Sequence, residues 1–333
     1  MEIPIKNIYY LLSYAWGYFH PQDLAKVERN NFETSIELFG ELYDLTLTRY
    51  VKSGLKKDYV EFNEELSTIK SKIDFGTTLK RVGQRSKRYT CIYDEFTENN
   101  RINQLIKYVG LLLLKSDIES DQKKSIKKKI VFFSRVNISH FNLKSAQKVK
   151  YTREDKNLNF LIDICKYIFE GIGFSQNEGQ NTFGDFLSNK NMPMIYEKFV
   201  LNFYRKHLKS HKVRGGEHIA WDSETSNELY PVMKTDITLR GPSSTCIIDT
   251  KFYKDIFSYN FNTPKFKSGN IYQLYTYMQN FGSGTIQGML LYPTTHSAVR
   301  NERWVSGKKI MINTVNLNQD WTNIESELLE LMT

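Results

Sequence analysis

The sequence predicts a chain of mixed helix and strand, with a helical and β-rich N-terminal domain followed by an α/β domain. Its 333 residues, 40% of them hydrophobic, supply cores for about two domains. Helical periodicity and two-residue alternation follow each other in the N-terminal half, whereas the C-terminal half orders as helix, three strands, helix and strand. A polar stretch around 135–157 separates the two halves. We therefore place the domains at 1–150 and 151–333.

Apolar spacing predicts the helices, and alternation of polar and apolar residues predicts the strands. Ile36, Phe39 and Tyr43, for example, recur at near-helical spacing. In the first domain we predict helices at 5–19, 34–56 and 99–115 and a β-rich patch at 57–96 with strands near 69–75 and 89–96. In the second we predict helices at 158–170, 194–209, 270–281 and 321–332 and strands near 212–221, 229–239, 244–252, 285–292 and 308–317.

The chain is basic. Lys and Arg number 46 against 37 Asp and Glu, a net charge of +9, and the pI is about 9.1. Such a balance favours polyanionic partners but does not specify a fold. The strongest charge run, DQKKSIKKK at 121–129, is interpreted first as a solvated helix face, with a phosphate-contacting face as the alternative.

Several classes of protein are excluded by what the sequence lacks. Cys91, Cys165 and Cys246 are far apart, which fits neither a zinc knuckle nor a disulfide framework and favours a reducing compartment. No apolar run reaches the ~20 residues that span a bilayer, and no cationic leader precedes the first apolar stretch. We therefore expect a soluble, cytoplasmic protein without a membrane partner. No GxxxxGK[ST] motif occurs, so we expect no P-loop nucleotide site.

The chemically informative stretch is YPVMKTDITLRGPSSTCIIDTKFYK at 230–254. It predicts two strands joined by a turn, with Asp236 in the first and an apolar run that ends in Asp249-Thr250-Lys251 in the second. Residues two apart share one face of a strand, so Asp249 and Lys251 point the same way, and strand pairing brings Asp236 beside them. Two carboxylates and a lysine can hold a divalent cation and position a water against a phosphate.

The D-x-K spacing by itself is a weak signal. Asp121-x-Lys123 and Glu154-x-Lys156 repeat it in polar surroundings. The preceding apolar strand and the acidic residue 13 positions earlier distinguish Asp249. A salt-bridged pair at a strand edge is the alternative, and the spacing leaves both interpretations open.

Two flanking helices offer further groups. Glu197 is either an ordinary first-turn acid favoured by the helix dipole or a third site carboxylate. Gln273 and Tyr277, one turn apart on one helix face, could brace the lysine or touch the DNA backbone, although such pairs are common in helices. His207 and His211 have a spacing that could bind zinc, but we favour a solvated or nucleic-acid-facing pair.

These residues, together with segments along the whole chain, resemble the McrC family, the nuclease subunits of the McrBC modification-dependent restriction endonucleases in the PD-(D/E)xK superfamily. The opening segment and the DTKFYK–YQL pair are specific, and the others are individually weak. The segments are IPIKNIYYLLSYAWGY at 3–18, IKSKIDF at 69–75, YDEFTENNRINQLIK at 93–107, MIYEKFV at 194–200, TDITLR at 235–240, IIDTKFYKDIFS at 247–258, NIYQLYTYM at 270–278, GMLLYP at 288–293 and VNLNQDW at 315–321.

The resemblance implies two roles for the chain. Residues 1–150 would dock on a hexameric, McrB-like AAA+ GTPase, with the β-rich patch at 57–96 entering or capping the ring, and would stimulate GTP hydrolysis by that partner. Residues 151–333 would form a PD-(D/E)xK restriction-endonuclease-like α/β domain. With Mg²⁺ as cofactor, this domain would cleave double-stranded DNA that contains modified cytosine.

The resemblance also assigns site residues. The catalytic residues are Asp236, Asp249, Lys251 and Glu197. The metal ligands are Asp236, Asp249, the Thr250 backbone carbonyl and Glu197. Supporting or DNA-backbone contacts are Gln273, Tyr277 and Lys254.

One departure from the superfamily pattern is Thr235, which stands where the motif has a proline. The metal-site argument does not depend on that residue, because proline offers no side-chain ligand. The alternative function is a non-catalytic activator or assembly subunit of a ring GTPase that binds DNA. It rests on the first 150 residues, in which no catalytic constellation is found.

Overall fold

A computed structural model gives the fold and describes residues 3–18, 32, 34–82, 88–150, 155–177, 191–222, 229–253, 255–260, 263–282 and 284–332. The chain forms two compact units. The helical unit is Ile36–Gln180, and the sheet unit combines Met1–Ser35 with Asn181–Thr333. A mixed α and β architecture was predicted, and the structure confirms it in this coarse form.

The elements are numbered here in chain order. The helices are α1 Ile5–Ala15, α2 Ser35–Ser53, α3 Phe75–Val82, α4 Arg101–Lys115, α5 Ser120–Ile130, α6 Leu143–Gln147, α7 Lys156–Asn177, α8 Met192–His207, α9 Ser268–Asn280 and α10 Trp321–Glu330. The strands are β1 Asp58–Leu66, β2 Lys72–Ile73, β3 Tyr89–Thr97, β4 Lys212–Gly215, β5 His218–Ile219, β6 Met233–Lys234, β7 Ile237–Arg240, β8 Thr245–Thr250, β9 Phe257–Asn260, β10 Thr263–Phe266, β11 Ile286–Thr294, β12 Arg300–Val305 and β13 Lys308–Asn316.

In the helical unit, buried polar contacts fix α2 against α4. The Tyr43 hydroxyl donates to the carbonyl of Ile106 at 2.7 Å, and the Tyr50 hydroxyl donates to Asn103 Oδ1 at 2.5 Å. The Asn100 side chain caps α4 by accepting from the Asn103 amide. These bonds satisfy polar groups that would otherwise be buried without partners. A three-stranded antiparallel sheet in the order β1-β3-β2 completes the unit.

The strand predicted near 69–75 is wrong in length, since only Lys72–Ile73 pairs with β3. The helix α3, which the sequence pattern does not predict, follows at once. Asp74 accounts for it, because its Oδ1 accepts from the Thr77 amide and its carbonyl accepts from the Thr78 amide, as at a helix N-cap.

The unit boundary lies at 180 rather than near 150, so the compact units differ in outline from the predicted domains. Helix α7 explains the difference, because it packs on α4 and α6 within the helical unit. The Tyr108 and Phe169 rings lie 5.8 Å apart, and Lys166 Nζ donates to the Val149 carbonyl at 2.9 Å. The polar segment before α7 is therefore a connection within one unit.

Helix α1 belongs to the sheet unit, where it packs on α8. Asn7 Nδ2 donates to the carbonyls of Leu317 and Gln319 at 2.8 and 2.9 Å, and the Tyr10 ring stacks on Trp321 at 4.3 Å. Helix α1 thus packs against the start of helix α10.

His207 is not the solvated residue that was predicted. Its ring stacks on Phe203 at 4.4 Å, and its Nε2 lies 2.9 Å from the Tyr14 hydroxyl. Burial lowers the pKa of His207.

None of the described helices is long and apolar enough to cross a bilayer.

A six-stranded mixed sheet in the order β12-β13-β11-β8-β7-β4 forms the centre of the sheet unit. β11 runs parallel to β8 and to β13, whereas β7 pairs antiparallel with β8 and β4. The apolar residues of β8, β11 and β13 are largely buried, as expected for central strands. The sequence pattern does not predict β12, whose side chains are mostly polar and exposed. Ser306 and Gly307, both with positive φ, form its two-residue turn into β13.

Helix α9 packs on β11 through a close approach at Gly288. A Cβ at this position would overlap Met278 Sδ and come within 3.0 Å of Leu274 Cγ. The missing side chain therefore sets how near α9 lies to the sheet.

Gly288→Ala should lower the free energy of unfolding by about 1–3 kcal/mol, because the added methyl overpacks the contact between α9 and β11. Urea unfolding measures the change. Gly269→Ala is the matched control, since no atom lies within 4 Å of a Cβ placed there. An equal loss of stability in both variants would contradict the close approach.

Candidate active site at the end of strands β7 and β8

The register of β7 and β8 brings two aspartates to the same end of one strand pair. Ile237 is the antiparallel partner of Ile248, so Asp236, just before β7, stands across from Asp249 on β8. Asp236 is half-buried and Asp249 is fully buried. The predicted convergence of the two carboxylates follows directly from this pairing.

Asp236 is tied to the neighbouring strand by its side chain. Its Oδ2 accepts from the Thr250 amide at 2.8 Å and from the Thr250 hydroxyl at 3.0 Å. A carboxylate held by two donors has a defined orientation. Asp236 therefore stays beside the backbone of Thr250.

The Thr250 carbonyl points to the same side as Asp236. The Lys251 amide donates to the Leu291 carbonyl on β11 at 3.1 Å. In a trans peptide, the C=O of one residue and the N–H of the next point in opposite directions. The Thr250 carbonyl is therefore directed away from β11 and toward the β7 side, where Asp236 lies.

Asp249 is the most unusual group of the site. Lys251 Nζ lies 2.8 Å from its Oδ2, yet neither carboxylate oxygen has a geometrically well-formed hydrogen bond among the described residues. Burial raises the pKa of Asp249 to about 6, with Lys251 opposing the rise and Asp236 adding to it. Buried acceptors without hydrogen bonds are costly, and a buried carboxylate more so than a neutral group.

Lys251 is held from two sides. Besides its contact with Asp249, Lys251 Nζ donates a hydrogen bond to Gln273 Oε1 on α9 at 3.1 Å. Gln273 Nε2 in turn donates a hydrogen bond to the Tyr277 hydroxyl at 2.7 Å. Burial is the largest single influence on the pKa of Lys251 and would lower it, but the charge and contact of Asp249, together with the charge of Asp236, outweigh burial and raise the pKa. The structure thus places the exposed Gln273 side chain against Lys251 and the buried Tyr277 against Gln273.

Glu197 lies close enough to Asp236 and Asp249 for their charges to affect its pKa, but it does not form a tight group with them. Burial is the first cause that raises its pKa, the charge of Asp236 is the second, and Asp249 adds a smaller effect. Within the described part of the chain, no three His, Cys, Asp or Glu residues are grouped tightly enough to hold one metal ion. The charges of Asp236 and Asp249 therefore act on Glu197 from farther away than they act on each other. Lys254, the remaining predicted site residue, lies outside the described residues.

Oxygen atoms of the site fit a hard divalent cation. Magnesium prefers carboxylate, carbonyl and water oxygens, and it is held by one or two protein carboxylates. Asp249 supplies buried oxygens without hydrogen bonds, while Asp236 and the Thr250 carbonyl face the same side of the strand end. This donor set is what the sequence predicted, apart from the more distant Glu197.

A supporting ion pair escaped prediction from the sequence. Arg240 on β7 donates to both oxygens of Glu217, at 2.8 and 2.5 Å. The backbone beside Glu217 brackets the first aspartate, because the Gly216 amide donates to the Asp236 carbonyl and the Thr235 amide donates to the Glu217 carbonyl. No local motif links residues 23 positions apart, so only the tertiary fold reveals this pair.

The comparison with known sequences decides the family. The profile of the family described as McrBC 5-methylcytosine restriction system component matches residues 6–293. The chain belongs to this McrBC component family. The type IV methyl-directed restriction enzyme EcoKMcrBC of Escherichia coli strain K12 is 32% identical over 341 residues, which cover 99% of this chain and 97% of that protein.

A solved structure supports the McrBC fold. A half-complex from a tetradecameric assembly of Thermococcus gammatolerans McrB AAA+ hexamers with bound McrC matches with a TM-score of 0.56. The identity is 15%, and the match covers 98% of this chain and 76% of that chain. At this identity, the likeness shows a shared fold.

Glu217→Gln should lower the free energy of unfolding at pH 7 by about 1 kcal/mol, since it removes a partly exposed ion pair. Arg240 lowers the pKa of Glu217, so the wild-type advantage is complete above the ordinary Glu pKa. It disappears as the pH falls through the lowered pKa and the carboxyl takes up a proton. Urea unfolding from pH 7 toward acid measures the difference.

The pair between Lys309 and Glu302, whose own side chain is 63% exposed, provides the control. Glu302→Gln should change stability by less than about 0.5 kcal/mol. A Glu217→Gln deficit that is the same at acid pH would show that the ion pair is not its cause.

Proposed function

We propose that this chain is the DNA-cleaving subunit of a GTP-dependent type IV restriction system. It hydrolyses phosphodiesters of double-stranded DNA containing modified cytosine, with Mg²⁺ as cofactor and a PD-(D/E)xK-type site. One observation carries the proposal: Asp236, Asp249 and Lys251 meet where β7 and β8 lie side by side. Membership of the McrBC component family supports a restriction role for that site.

In this proposal, Asp236, Asp249 and the Thr250 carbonyl hold the cation. A bound Mg²⁺ stabilises the negative charge that develops on the phosphate and lowers the pKa of a bound water. Asp249 suits this task because its oxygens are buried without hydrogen bonds. Asp236 suits it because Thr250 fixes its carboxylate beside the carbonyl.

Lys251 orients the attacking water and offsets negative charge in the transition state. Gln273 and Asp249 hold its ammonium group, so the lysine does not need to be ordered when DNA binds. Glu197 supports the metal or a second ion from its more distant position. Tyr277 acts through Gln273, whose amide it keeps in one orientation.

We also propose that the chain acts with a McrB-like AAA+ GTPase hexamer, docks on it through its N-terminal domain and stimulates its GTP hydrolysis. The assembly formed by the related McrB and McrC chains supports this proposal. In the helical unit, Tyr59 and Phe96 are cross-strand partners with rings 5.1 Å apart and exposures of 76% and 58%. An exposed aromatic pair of this kind suits a protein interface.

Asp249→Asn and Lys251→Met should each reduce cleavage of methylated duplex DNA by at least about 100-fold, because each removes a charge that acts on the reacting phosphate or water. The assay combines the full chain, the partner GTPase, GTP and Mg²⁺, and cleaved duplex is quantified on gels. Asp320→Asn is the matched control, since the Asp320 side chain is exposed and, among the residues that the structure describes, forms an ion pair only with Lys6, at 3.4 Å.

The same samples distinguish a nuclease from a non-catalytic activator. Asp249→Asn should stimulate the partner GTPase as well as the wild type does, which shows that the variant is folded and assembled. Cleavage at the wild-type rate by either site variant would contradict the nuclease assignment and leave the activator as the function.

A further inference from the structure

Beside the aspartates and the lysine lies a cation–aromatic pair that the proposed reaction does not use. Lys267 Nζ lies 3.9 Å from the centroid of the Tyr253 ring. The Tyr253 ring is 37% exposed, and its centroid lies 6.3 Å from that of buried Tyr292. Attraction between an ammonium group and the face of an aromatic ring holds Lys267 in place.

Two paths through the fold place this pair next to Lys251. Along the backbone, Tyr253 is two residues from Lys251, at most about 7 Å between their Cα atoms. Lys267 is the residue just before α9. Gln273 lies in α9, six residues after Lys267, which corresponds to about 9 Å along the helix. Gln273 reaches Lys251 directly. Lys267 therefore lies in the neighbourhood of the proposed cleavage site, linked to Lys251 through Tyr253 on one side and through α9 and Gln273 on the other.

Buried Tyr292 and its hydrogen-bond partner Asn270 connect the Lys267–Tyr253 pair to β11 and α9, which also support Lys251. Tyr292 follows Leu291, the register partner of Thr250 on β8. Its hydroxyl accepts from Asn270 Nδ2 on α9 at 3.0 Å. Strand β11 and helix α9 thus support both Tyr253 and Lys251.

The charge of Lys267 is not neutralised within the described part of the chain. No carboxylate there forms an ion pair with it. The residue also occupies the N-cap of α9 without a capping bond from its side chain, although cations are disfavoured at that end of a helix. A half-buried ammonium group in this position is stabilised when an anion binds.

We propose that Lys267, steadied by Tyr253, binds a non-scissile phosphate of the DNA strand that is cleaved, next to the phosphate at Asp249 and Lys251. This inference rests on the proposed function. A phosphate is the expected ligand because a nucleic-acid strand offers anions at regular short spacing on both sides of the bond that is broken. The contact fixes the position of the strand without reading its bases.

The test is the salt dependence of DNA binding, measured with the full chain, a short fluorescein-labelled duplex and EDTA to prevent cleavage. Lys267→Met keeps the aliphatic stem and removes the charge. Loss of one phosphate contact should raise Kd about 3- to 10-fold and reduce the slope of log K against log salt concentration by about 1. Lys267→Arg should restore both values.

Lys212→Met is the matched control. Lys212 is an exposed lysine on β4 that pairs with Arg240, at the end of β7 opposite to Asp236. The Lys212→Met substitution removes the same net charge from the same unit and should leave the slope of log K against log salt concentration unchanged. A wild-type slope for Lys267→Met, or an equal decrease for Lys212→Met, would overturn the proposal.

Cleavage of the same duplex by the full chain with its GTPase partner and Mg²⁺ separates this inference from the proposed function. If Asp249→Asn abolishes cleavage while Lys267→Met binds DNA as the wild type does, only the phosphate contact is wrong. If Asp249→Asn cleaves as the wild type does in the assembled complex, the proposed function is wrong and the proposed contact is wrong with it.

Discussion

The site depends on the antiparallel register of β7 and β8. With Ile237 opposite Ile248, Asp236 and Asp249 meet at one end of the strand pair. A slip of one residue would turn Asp249 to the other face of the sheet and break the bonds between Asp236 and Thr250. Glu217 and Arg240 stabilise the approach to β7, and the neighbouring strand β11 holds the backbone at Lys251.

The register also explains why Asp249 is costly to the fold and useful to the reaction. Its position within a central strand buries both carboxylate oxygens, and Lys251 is its one charged neighbour within ion-pair distance in the described chain. Without another positive charge, burial raises its pKa to about 6. A site with excess negative charge and buried carboxylate oxygens that lack well-formed hydrogen bonds is suited to a divalent cation.

Much of the site could be predicted because its chemistry lies on consecutive residues. The apolar strand before Asp249, the i and i+2 relation of Asp249 and Lys251, and the helical spacing of Gln273 and Tyr277 are all local patterns. Their geometry follows from the regular structure of strands and helices. The most distant part of the prediction, Glu197, depends on how α8 packs, which no local pattern specifies.

What escaped prediction depends on contacts between residues far apart in sequence. The place of α1 against α10, the inclusion of α7 in the helical unit and the pairing of Glu217 with Arg240 are all long-range. Two of the elements that the sequence pattern misses, α3 and β12, have weak apolar patterns, since α3 follows a side-chain cap and β12 is an exposed edge strand. Local polarity suggests a boundary near 150, whereas the compact unit Ile36–Gln180 is defined by long-range packing of α7 on α4 and α6.

The most direct test of the account is to locate a divalent ion in crystals of this protein grown with Mn²⁺ in place of Mg²⁺. Anomalous scattering should place one ion between the carboxylates of Asp236 and Asp249 and the Thr250 carbonyl, and Asp249→Asn should remove the peak. Ordered Asp236 and Asp249 side chains that point apart, with no ion between them at saturating Mn²⁺, would contradict the account.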